Sequence, residues 1–260
     1  MKNFCQLKIK MVIDFTNRTA LITGATRGIG KSIATCLHEA GANLILTGTN
    51  AEEIQKLNDT NQKKDISNII YIQADFLDVE STSTFLRKLD EYDRIDICIN
   101  NAGVNRVDEF NDTTLDDFEL LHDVNLKAPY QILKVIGPKI IKNNYGRIVN
   151  VASIWSIISR PGRSIYGSSK NALVGLTKAL AVEWASHNVL VNAVSPGFTL
   201  TELTKFTNTS EQLIDLEKII PAKRMAETIE IARVVAFLCS DLNTYLTGQN
   251  IIVDGGYSNV

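Results

Sequence analysis

Seven short apolar runs, rich in β-branched residues, recur along the chain. They lack the alternation of apolar and polar residues that marks a strand with one solvent-exposed face. Such continuous hydrophobicity is typical of parallel strands that are buried on both faces. The runs are TALIT (19–23), NLILT (43–47), IIYIQ (69–73), IDICIN (95–100), RIVNVA (147–152), VLVNAV (189–194) and IIVD (251–254).

Apolar residues at helical spacing fill the segments between these strands, for instance residues 29–41 and 170–185. Gly41 follows the first of these helices as a C-terminal glycine, and Asp78 is a candidate N-cap. The alternation of strands and helices predicts a parallel sheet built by right-handed crossovers. We therefore expect a doubly wound, seven-stranded α/β sheet of Rossmann-like architecture, a three-layer sandwich.

Residues 14–260 are expected to form a single domain, preceded by an N-terminal extension of residues 1–13. The segment 198–226 shows no strand pattern and is rich in Thr, Asn and Glu. Because it follows the carboxyl end of a strand, where open α/β sheets bind ligands, it is predicted to be a substrate lid or, alternatively, a plain helical hairpin on the surface.

The composition is that of a soluble globular protein, since 45% of the 260 residues are apolar and 22% are charged. A net charge of −2 and the absence of a Lys/Arg cluster argue against nucleic acid as a partner. The four cysteines and three histidines show no metal-ligand spacing, which predicts reduced thiols, no metal and a cytoplasmic location. No apolar run approaches the ~20 residues of a membrane helix, so we expect no membrane association.

A glycine-rich loop, TGATRGIG (23–30), joins the first predicted strand to the first predicted helix. Gly24 allows a tight turn, and Gly28 and Gly30 let the helix N-terminus approach a pyrophosphate, whose charge that terminus favours. Its spacing is GxxxGxG rather than GxGxxG, so the interpretation depends on the strand before it and the helix after it. We expect this loop to bind a dinucleotide.

The end of the second strand indicates which dinucleotide binds. Sites that prefer NAD usually carry Asp or Glu there, whereas residues 46–50 contain no carboxylate and the first one is Glu52. Arg27 could pair with a 2′-phosphate, and the Thr49 hydroxyl could donate to it. The sequence therefore favours NADP(H), with NAD as the second choice. Asp75, after the third strand, could accept from the adenine amine or cap a turn.

Tyr166 and Lys170 lie four residues apart in RSIYGSSK (163–170), so on a helix they would share one face. A free tyrosine has a pKa of about 10, which is too high for a base at neutral pH. A neighbouring ammonium in a low-dielectric cleft lowers the pKa of a phenol because it favours the phenolate. The pair is predicted to transfer protons, with Lys170 also able to hold the cofactor ribose.

The motifs around this pair resemble those of the classical short-chain dehydrogenase/reductase family, including its 3-oxoacyl carrier-protein reductases and sugar or polyol dehydrogenases. They stand in the family's order and span nearly the whole chain from residue 19 onward. The matching motifs are TGATRGIG (23–30), NNAG (100–103), Asn125 in DVNLKAP, Ser153 in NVAS, YGSSK (166–170), SPG (195–197) and the terminal DGG (254–256).

The resemblance implies a role for each matching position. Tyr166 would be the general acid/base, and Lys170 its pKa modulator and ribose ligand. Ser153 would orient the substrate oxygen, and Asn125 would hold a water that continues the proton path to solvent. The implied cofactor-binding residues are Gly24, Thr26, Arg27, Gly28, Ile29, Gly30, Thr49, Asp75, Phe76, Asn101, Ala102, Gly103, Tyr166, Lys170, Pro196, Gly197 and Thr199, with Asn100 expected beside them.

The walls of the substrate pocket are expected from the segments after NNAG, between the serine and the tyrosine, and after SPG. Arg163 could bind a carboxylate, a phosphate or a polyhydroxylated group, or could instead face solvent or another subunit. We expect a secondary alcohol or ketone that is polar, such as a sugar, a polyol or a hydroxy acid. The candidate substrate residues are Ile154, Trp155, Arg163 and Phe198.

Two other functions remain open at this point. A 3-oxoacyl-(carrier protein or CoA) reductase fits the resemblance, but its usual basic residues at the ends of the interface helices are replaced here by Asn143-Asn144 and His187-Asn188. A nucleotide-binding regulatory protein without turnover is the alternative of another class, although binding alone would not need the Tyr166 phenol. A hydrolase is disfavoured because the chain has no GxSxG elbow.

Helices predicted over 127–142 and 166–187 resemble those that pair subunits in the family, which implies a homotetramer. Four apolar residues of the second helix recur at helical spacing, which fits either the core or a subunit interface. They are Leu173, Leu176, Leu180 and Trp184.

Overall fold

The apolar runs predicted as strands all enter one parallel sheet. The computed structural model of the protein describes residues 12–202, 204 and 208–260. Two further strands of two residues each pair with one another outside this sheet. The strands are β1 (Thr19–Ile22), β2 (Asn43–Gly48), β3 (Ile69–Gln73), β4 (Ile97–Asn100), β5 (Gly146–Val151), β6 (Val189–Pro196), β7 (Thr199–Leu200), β8 (Ala226–Glu227) and β9 (Asn250–Val253).

Eight α-helices of the described residues connect and cover these strands. Their predicted ends are found in the structure: Asp78 accepts a hydrogen bond from the Ser81 amide at 2.6 Å, and Gly41 follows α1 with a φ of 93°. The helices are α1 (Gly28–Glu39), α2 (Ala51–Lys63), α3 (Val79–Asp90), α4 (Leu115–His122), α5 (Ala128–Lys142), α6 (Ser164–Trp184), α7 (Ser210–Ile219) and α8 (Thr228–Cys239).

The order of strands across the sheet is β3-β2-β1-β4-β5-β6-β9, and every neighbouring pair is parallel. The chain moves outward from β1 in one direction through β2 and β3, then returns to place β4 on the other side of β1. This reversal opens a crevice at the carboxyl ends of β1 and β4, which is where doubly wound sheets bind ligands. The predicted Rossmann-like fold is confirmed.

Two hydrophobic layers cover the two faces of the sheet. Ile22 belongs to the layer that includes α1 and α8, whereas its neighbour Leu21 belongs to the layer that includes α3, α5 and α6. Successive strand residues point to opposite faces, so both faces need apolar side chains. This explains why the strands read as continuous rather than alternating apolar runs.

The apolar residues of α6 belong to this core. Leu173 is buried, and Leu176, Leu180 and Trp184 are partly buried against the layer formed with α3 and α5. The exposed large apolar side chains of α5 and α6 are instead Tyr130 and Val182. None of the helices in the described residues is both long and apolar enough to cross a membrane.

The prediction that residues 198–226 contain no strand is wrong. β7 pairs with β8 in parallel, and the Ala226 amide donates to the Phe198 carbonyl at 2.9 Å. Strands of two residues leave no apolar run in the sequence, which is why the pattern does not reveal them. Leu203 and residues 205–207 lie outside the described residues, as do residues 1–11 of the predicted extension.

Candidate active site

The glycine loop turns tightly between β1 and α1. Gly24 and Gly28 have φ values of 61° and 57°, in the left-handed region that favours glycine. Gly30 is needed for a different reason, since a Cβ there would overlap the Gly24 carbonyl and lie 2.5 Å from the side-chain nitrogen of Asn101. The loop therefore presents backbone atoms and the N-terminus of α1 at the crevice, as a pyrophosphate site requires.

The NNAG segment after β4 fixes the glycine loop in place. The Thr23 hydroxyl oxygen accepts from the amides of Asn101 at 3.0 Å and Ala102 at 2.9 Å. The Asn101 side chain donates to the carbonyls of Thr23 and Gly24 at 3.0 and 2.9 Å. Asn100 is buried within β4 and donates to Asn150 of β5, so it supports the sheet.

The residues predicted to choose between NADP and NAD lie at the open edge of the crevice. Arg27 and Thr49 are both exposed, and Arg27 occupies the N-cap position of α1. Within the loop, the Thr26 methyl group leaves no room for a side chain at Gly48. Ile29, the second residue of α1, is partly buried against the core.

Asp75 and Phe76 follow β3, on the side where an adenine would lie. The Asp75 carboxylate accepts from the Leu77 amide at 3.0 Å, so it caps a turn in this structure. Phe76 packs edge-to-face on Phe85 with ring centroids 5.9 Å apart. Contact of either residue with adenine stays a prediction.

Tyr166 and Lys170 occupy the first two turns of α6. Lys170 is buried, and its ammonium donates to the Val151 carbonyl at 2.9 Å and lies 5.9 Å from the centre of the Tyr166 ring. Burial lowers the pKa of Lys170 to about 8. Gly167 between them lets the helix approach the loop after β5, because a Cβ there would lie 2.9 Å from the Trp155 carbonyl.

The Tyr166 phenol is subject to opposing influences. Burial raises the pKa of Tyr166, while a hydrogen bond with Ser153 and the positive charge of Arg163 act to lower it. Desolvation favours the neutral phenol, and the two neighbours favour the phenolate. Arg163 is one cation that acts on the phenol, and the Lys170 ammonium lies 5.9 Å from the centre of its ring. The predicted effect of Lys170 on the pKa of Tyr166 stays a prediction.

Asn125 ties the loop after β4 to α6. It lies in a π-helical turn, Asp123–Lys127, that joins α4 to α5. Its side-chain oxygen accepts from the Val104 amide at 2.9 Å, and its nitrogen donates to the Val104 carbonyl and the Ser169 hydroxyl, both at 3.0 Å. A Cβ at Gly103 would lie 3.1 Å from the Asn125 oxygen and 3.2 Å from the Lys170 nitrogen, so the two groups converge there. The predicted proton path through a water stays a prediction.

The segment after β6 reaches the same edge of the sheet. Pro196 ends β6, and the Gly197 amide donates to the Val253 carbonyl at 2.9 Å. A Cβ at Gly197 would lie 2.6 Å from the Asp254 Cβ. The SPG turn therefore packs closely against the terminal DGG turn only because residue 197 is glycine. Thr199 is buried, and its hydroxyl donates to the Gly197 carbonyl at 3.1 Å.

Three aromatic rings, called here the aromatic group, pack against one another beside Tyr166. Trp155 contacts Phe198 and Tyr257 edge-to-face at centroid distances of 6.3 Å each, and Phe198 and Tyr257 are 5.1 Å apart. Ile154, before the tryptophan, is buried in the loop after β5 and lies in the core rather than on an open wall. Tyr257 was not among the predicted substrate residues, although its place directly after the DGG turn is the feature that indicates it.

Arg163 lies between the aromatic group and the tyrosine. It is buried, with 9% of its surface exposed, and one guanidinium nitrogen donates to the Asn105 side-chain oxygen at 2.8 Å. The alternative of a solvent-facing arginine is therefore wrong.

Comparisons with known proteins agree with this geometry. A family model described as "Enoyl-(Acyl carrier protein) reductase" matches residues 24–258. The chain is 38% identical over 250 residues to "Oxidoreductase UcpA" of Salmonella typhimurium, covering 93% of this chain and 94% of that protein. It is 37% identical over 250 residues to "3-oxoacyl-[acyl-carrier-protein] reductase FabG" of Rickettsia conorii, covering 94% and 98%.

A solved structure with the same architecture is that of a gluconate 5-dehydrogenase from Burkholderia cenocepacia J2315 in complex with NADP and tartrate. The TM-score is 0.86 at 28% identity, with 95% of this chain and 97% of that chain covered. The protein belongs to the short-chain dehydrogenase/reductase family. It is therefore an oxidoreductase of the class that interconverts CH–OH and C=O groups with NAD or NADP.

Proposed function

We propose that this chain interconverts a secondary alcohol and a ketone with a preference for NADP(H), and that its substrate is a small polar molecule such as a sugar, a polyol or a hydroxy acid. The observation that carries the proposal is the place of Tyr166 at the start of α6, with the buried Lys170 ammonium 5.9 Å from the centre of its ring and bonded to the Val151 carbonyl at the carboxyl end of β5. Binding alone would not need a phenol in this position.

The crevice fits a dinucleotide. Gly24 and Gly28 turn the loop with positive φ values, Gly30 lets it pack against the Gly24 carbonyl, and the N-terminus of α1, whose first N–H groups have no intrahelical partner, begins there. Asn101, Ala102 and Gly103 line its floor. When bound, the dinucleotide supplies a nicotinamide ring that accepts or donates a hydride.

The residues of the chain supply the positioning and the proton transfer. The Ser153 hydroxyl orients the substrate oxygen, and Tyr166 Oη gives or takes the proton at that oxygen. The Lys170 ammonium lies one turn below and favours the phenolate when the proton leaves. Asn125 keeps the loop at Val104 against α6, so that the floor of the site and the tyrosine stay in register.

NADP preference rests on the open edge of the crevice. Exposed Arg27 and Thr49 lie where a 2′-phosphate would be received, and residues 46–50 carry no carboxylate to repel it. Replacement of Arg27 by alanine should reduce kcat/KM with NADPH about tenfold and leave the value with NADH nearly constant. Equal loss with both would contradict the assignment.

Two features support a small polar substrate over a long acyl chain. Arg163 and Asn105 bring polar groups to the pocket, and the similar gluconate 5-dehydrogenase is described with tartrate, a dihydroxy diacid. The second candidate, a 3-oxoacyl reductase, is favoured by the 37% identity to the Rickettsia protein. Against it, Asn144 and Asn188 occupy left-handed turns and bond to one another at 3.2 Å, and neither supplies a positive charge for an acidic carrier.

We further propose that residues 198–226 form a substrate lid, that residues 1–13 are an extension of the domain at 14–260, and that the protein is a homotetramer. Phe198 at the start of the segment contributes a pocket ring, and α7 buries none of its residues, as expected of an element held loosely. Exposed Tyr130 and Val182 on α5 and α6 supply apolar surface for subunit contacts. Light scattering tests the tetramer, and protection of residues 210–219 from proteolysis by NADP with substrate tests the lid.

The decisive experiment replaces Tyr166 by phenylalanine. Purified protein is assayed with NADPH and NADH against ketones, keto sugars, keto acids and 3-oxoacyl thioesters, and the variant is compared on every active substrate. We expect kcat to fall at least a thousandfold while NADPH affinity, measured by fluorescence titration, stays within about twofold. Turnover that survives the substitution would overturn the proposal, and turnover restricted to oxoacyl thioesters would favour the second candidate.

A further inference from the structure

Two arginines lie over the ring of one tryptophan in the segment between β5 and α6. The guanidinium carbons of Arg160 and Arg163 lie 5.1 and 5.3 Å from the centre of the Trp155 ring. Arg160 is exposed, whereas Arg163 is more than nine-tenths buried and lies three residues before Tyr166. Their side chains place two positive charges within the short segment between β5 and α6.

Among the described residues, no carboxylate lies within ion-pair distance of either guanidinium. Within the described part of the chain, neither arginine forms an ion pair, and the hydrogen-bond partner of Arg163 is the neutral side-chain oxygen of Asn105. The Nε–H of Arg163 is buried without an acceptor. A buried guanidinium with an unused donor and no counter-ion is costly, and a ligand that supplies an oxyanion would offset that cost.

Arg147, another buried arginine, shows which partners surround an arginine that stabilises the fold. Arg147 donates to the carbonyls of Gly146 and Asn188 at 2.9 and 3.0 Å and stacks on the Tyr145 ring. The charge of Asp241 also acts on it in the favourable direction. Arg163 has neither the carbonyl pair nor the nearby carboxylate, although it is comparably buried. The Nε–H of Arg147 is also buried without an acceptor, so the unmet donor alone does not distinguish the two arginines. What distinguishes Arg163 is that, among the described residues, its charge faces neither a carbonyl pair nor a carboxylate, and this difference points to a ligand rather than to a role in holding the fold.

We propose that Arg163, assisted by Arg160, binds an oxyanion group of the substrate, a carboxylate or a phosphate, while the substrate carbon chain lies against the aromatic group of Trp155, Phe198 and Tyr257. This inference rests on the proposed function, since it narrows the polar substrate to a hydroxy acid or a phosphorylated polyol. A planar guanidinium holds such groups with paired hydrogen bonds. The anion does not react, so it fixes the distance between the reacting carbon and Tyr166 Oη.

The test compares anionic substrates with neutral counterparts in the Arg163→Met variant. Hydroxy acids are paired with their methyl esters and polyol phosphates with the free polyols, all with NADP. The ratio of kcat/KM for the anionic member to that for the neutral member should fall about a hundredfold, and should recover in part in Arg163→Lys. Arg87→Met, which removes an exposed arginine whose contact is Thr84, should leave the ratio unchanged.

Binding without turnover gives an independent readout. Malonate and inorganic phosphate are titrated calorimetrically into Tyr166→Phe, with and without Arg163→Met. Anion binding in the first variant and its loss in the second support the site, and preference for malonate or phosphate distinguishes a hydroxy acid from a phosphorylated substrate. If Arg163→Met does not fold, Arg160→Met replaces it with an expected loss of about fivefold in the same ratio.

The anion site and the proposed oxidoreductase activity can each fail without the other. Turnover with an anionic-to-neutral ratio that does not depend on Arg163 overturns the anion site and leaves the oxidoreductase proposal standing. Arg163-dependent anion binding without any alcohol or ketone turnover supports the anion site and overturns the proposed function. Absence of malonate and phosphate binding to Tyr166→Phe overturns the inference directly.

Discussion

The two walls of the active-site crevice are built by different means. On the dinucleotide side, glycines, backbone N–H groups and the single amide of Asn101 form the surface, and Gly30 leaves no room for even a methyl group. On the substrate side, long side chains from separate segments meet around Trp155. The shape of a surface formed by backbone atoms changes only if the backbone itself shifts. A surface formed by side chains changes when single residues are substituted. We therefore expect damage to the first wall to affect every substrate alike, and damage to the second to change which substrate is used.

Among the changes that test this comparison of the two walls, the largest effect should come from Gly30→Ala. Because the added Cβ would overlap the Gly24 carbonyl, backbone atoms of the loop must move. We expect NADPH affinity to fall roughly a thousandfold, which is about 4 kcal/mol, as measured by fluorescence titration. Gly175→Ala in α6 is the matched control, since a Cβ there meets nothing within 4 Å. It should leave affinity unchanged and raise stability by up to about 1 kcal/mol. If the two variants bound NADPH with equal affinity, the close packing at Gly30 would not be what forms the dinucleotide wall.

Lys170 lies between the dinucleotide side and the substrate side of the crevice. Because its ammonium is buried, the free energy of unfolding should depend on pH. An unfolded lysine keeps its proton up to about pH 10.4, whereas the folded Lys170 has a pKa of about 8. Between these values the unfolded state binds more protons, so stability rises with pH. Lys170→Met removes this term. Because burying the charged lysine costs free energy, Lys170→Met should be more stable than the wild type at pH 7. This difference in the free energy of unfolding, measured by urea denaturation, should decrease by about 3 kcal/mol between pH 7 and pH 10.5. A difference that stays constant from pH 7 to 10 would contradict the predicted burial cost.

Substitutions of Asn101 and Asn105 provide the most direct test of the difference, because these residues lie four positions apart but on opposite walls. Asn101→Ala removes two hydrogen bonds to the glycine loop and should lower NADPH affinity about tenfold without altering the ranking of substrates. Asn105→Ala frees Arg163 and should alter that ranking with little change in NADPH affinity. Steady-state kinetics with titration of NADPH separates the two outcomes. If both variants changed the same parameter, the walls would not be independent.

The smallest effect should come from Tyr257→Leu. This change keeps an apolar side chain but removes two edge-to-face ring contacts, each worth about 1 kcal/mol. KM for the substrate should rise a few-fold, and NADPH affinity should stay constant. A larger loss of NADPH affinity than of substrate affinity would assign Tyr257 to the first wall.

The two walls also differed in how far the sequence could predict them. The glycine loop and NNAG are contiguous motifs whose function depends on backbone shape, so their composition already indicates the turn. The partners of Trp155 come from residues 198 and 257, and no local pattern records that Phe198 and Tyr257 meet. The π-helical turn around Asn125 was likewise hidden, because one extra residue in a helical turn leaves the apolar spacing almost intact.

The sequence by itself determined the seven strands of the main sheet, their parallel arrangement, the glycine turn and the pairing of Tyr166 with Lys170, since each depends on residues within one turn or one strand. The tertiary structure alone decided that Arg163 is buried beside the phenol with no counter-ion among the described residues, and that the C-terminal Tyr257 packs on Trp155. Burial and charge balance are properties of surroundings contributed by distant segments, and the local pattern of a chain does not contain them.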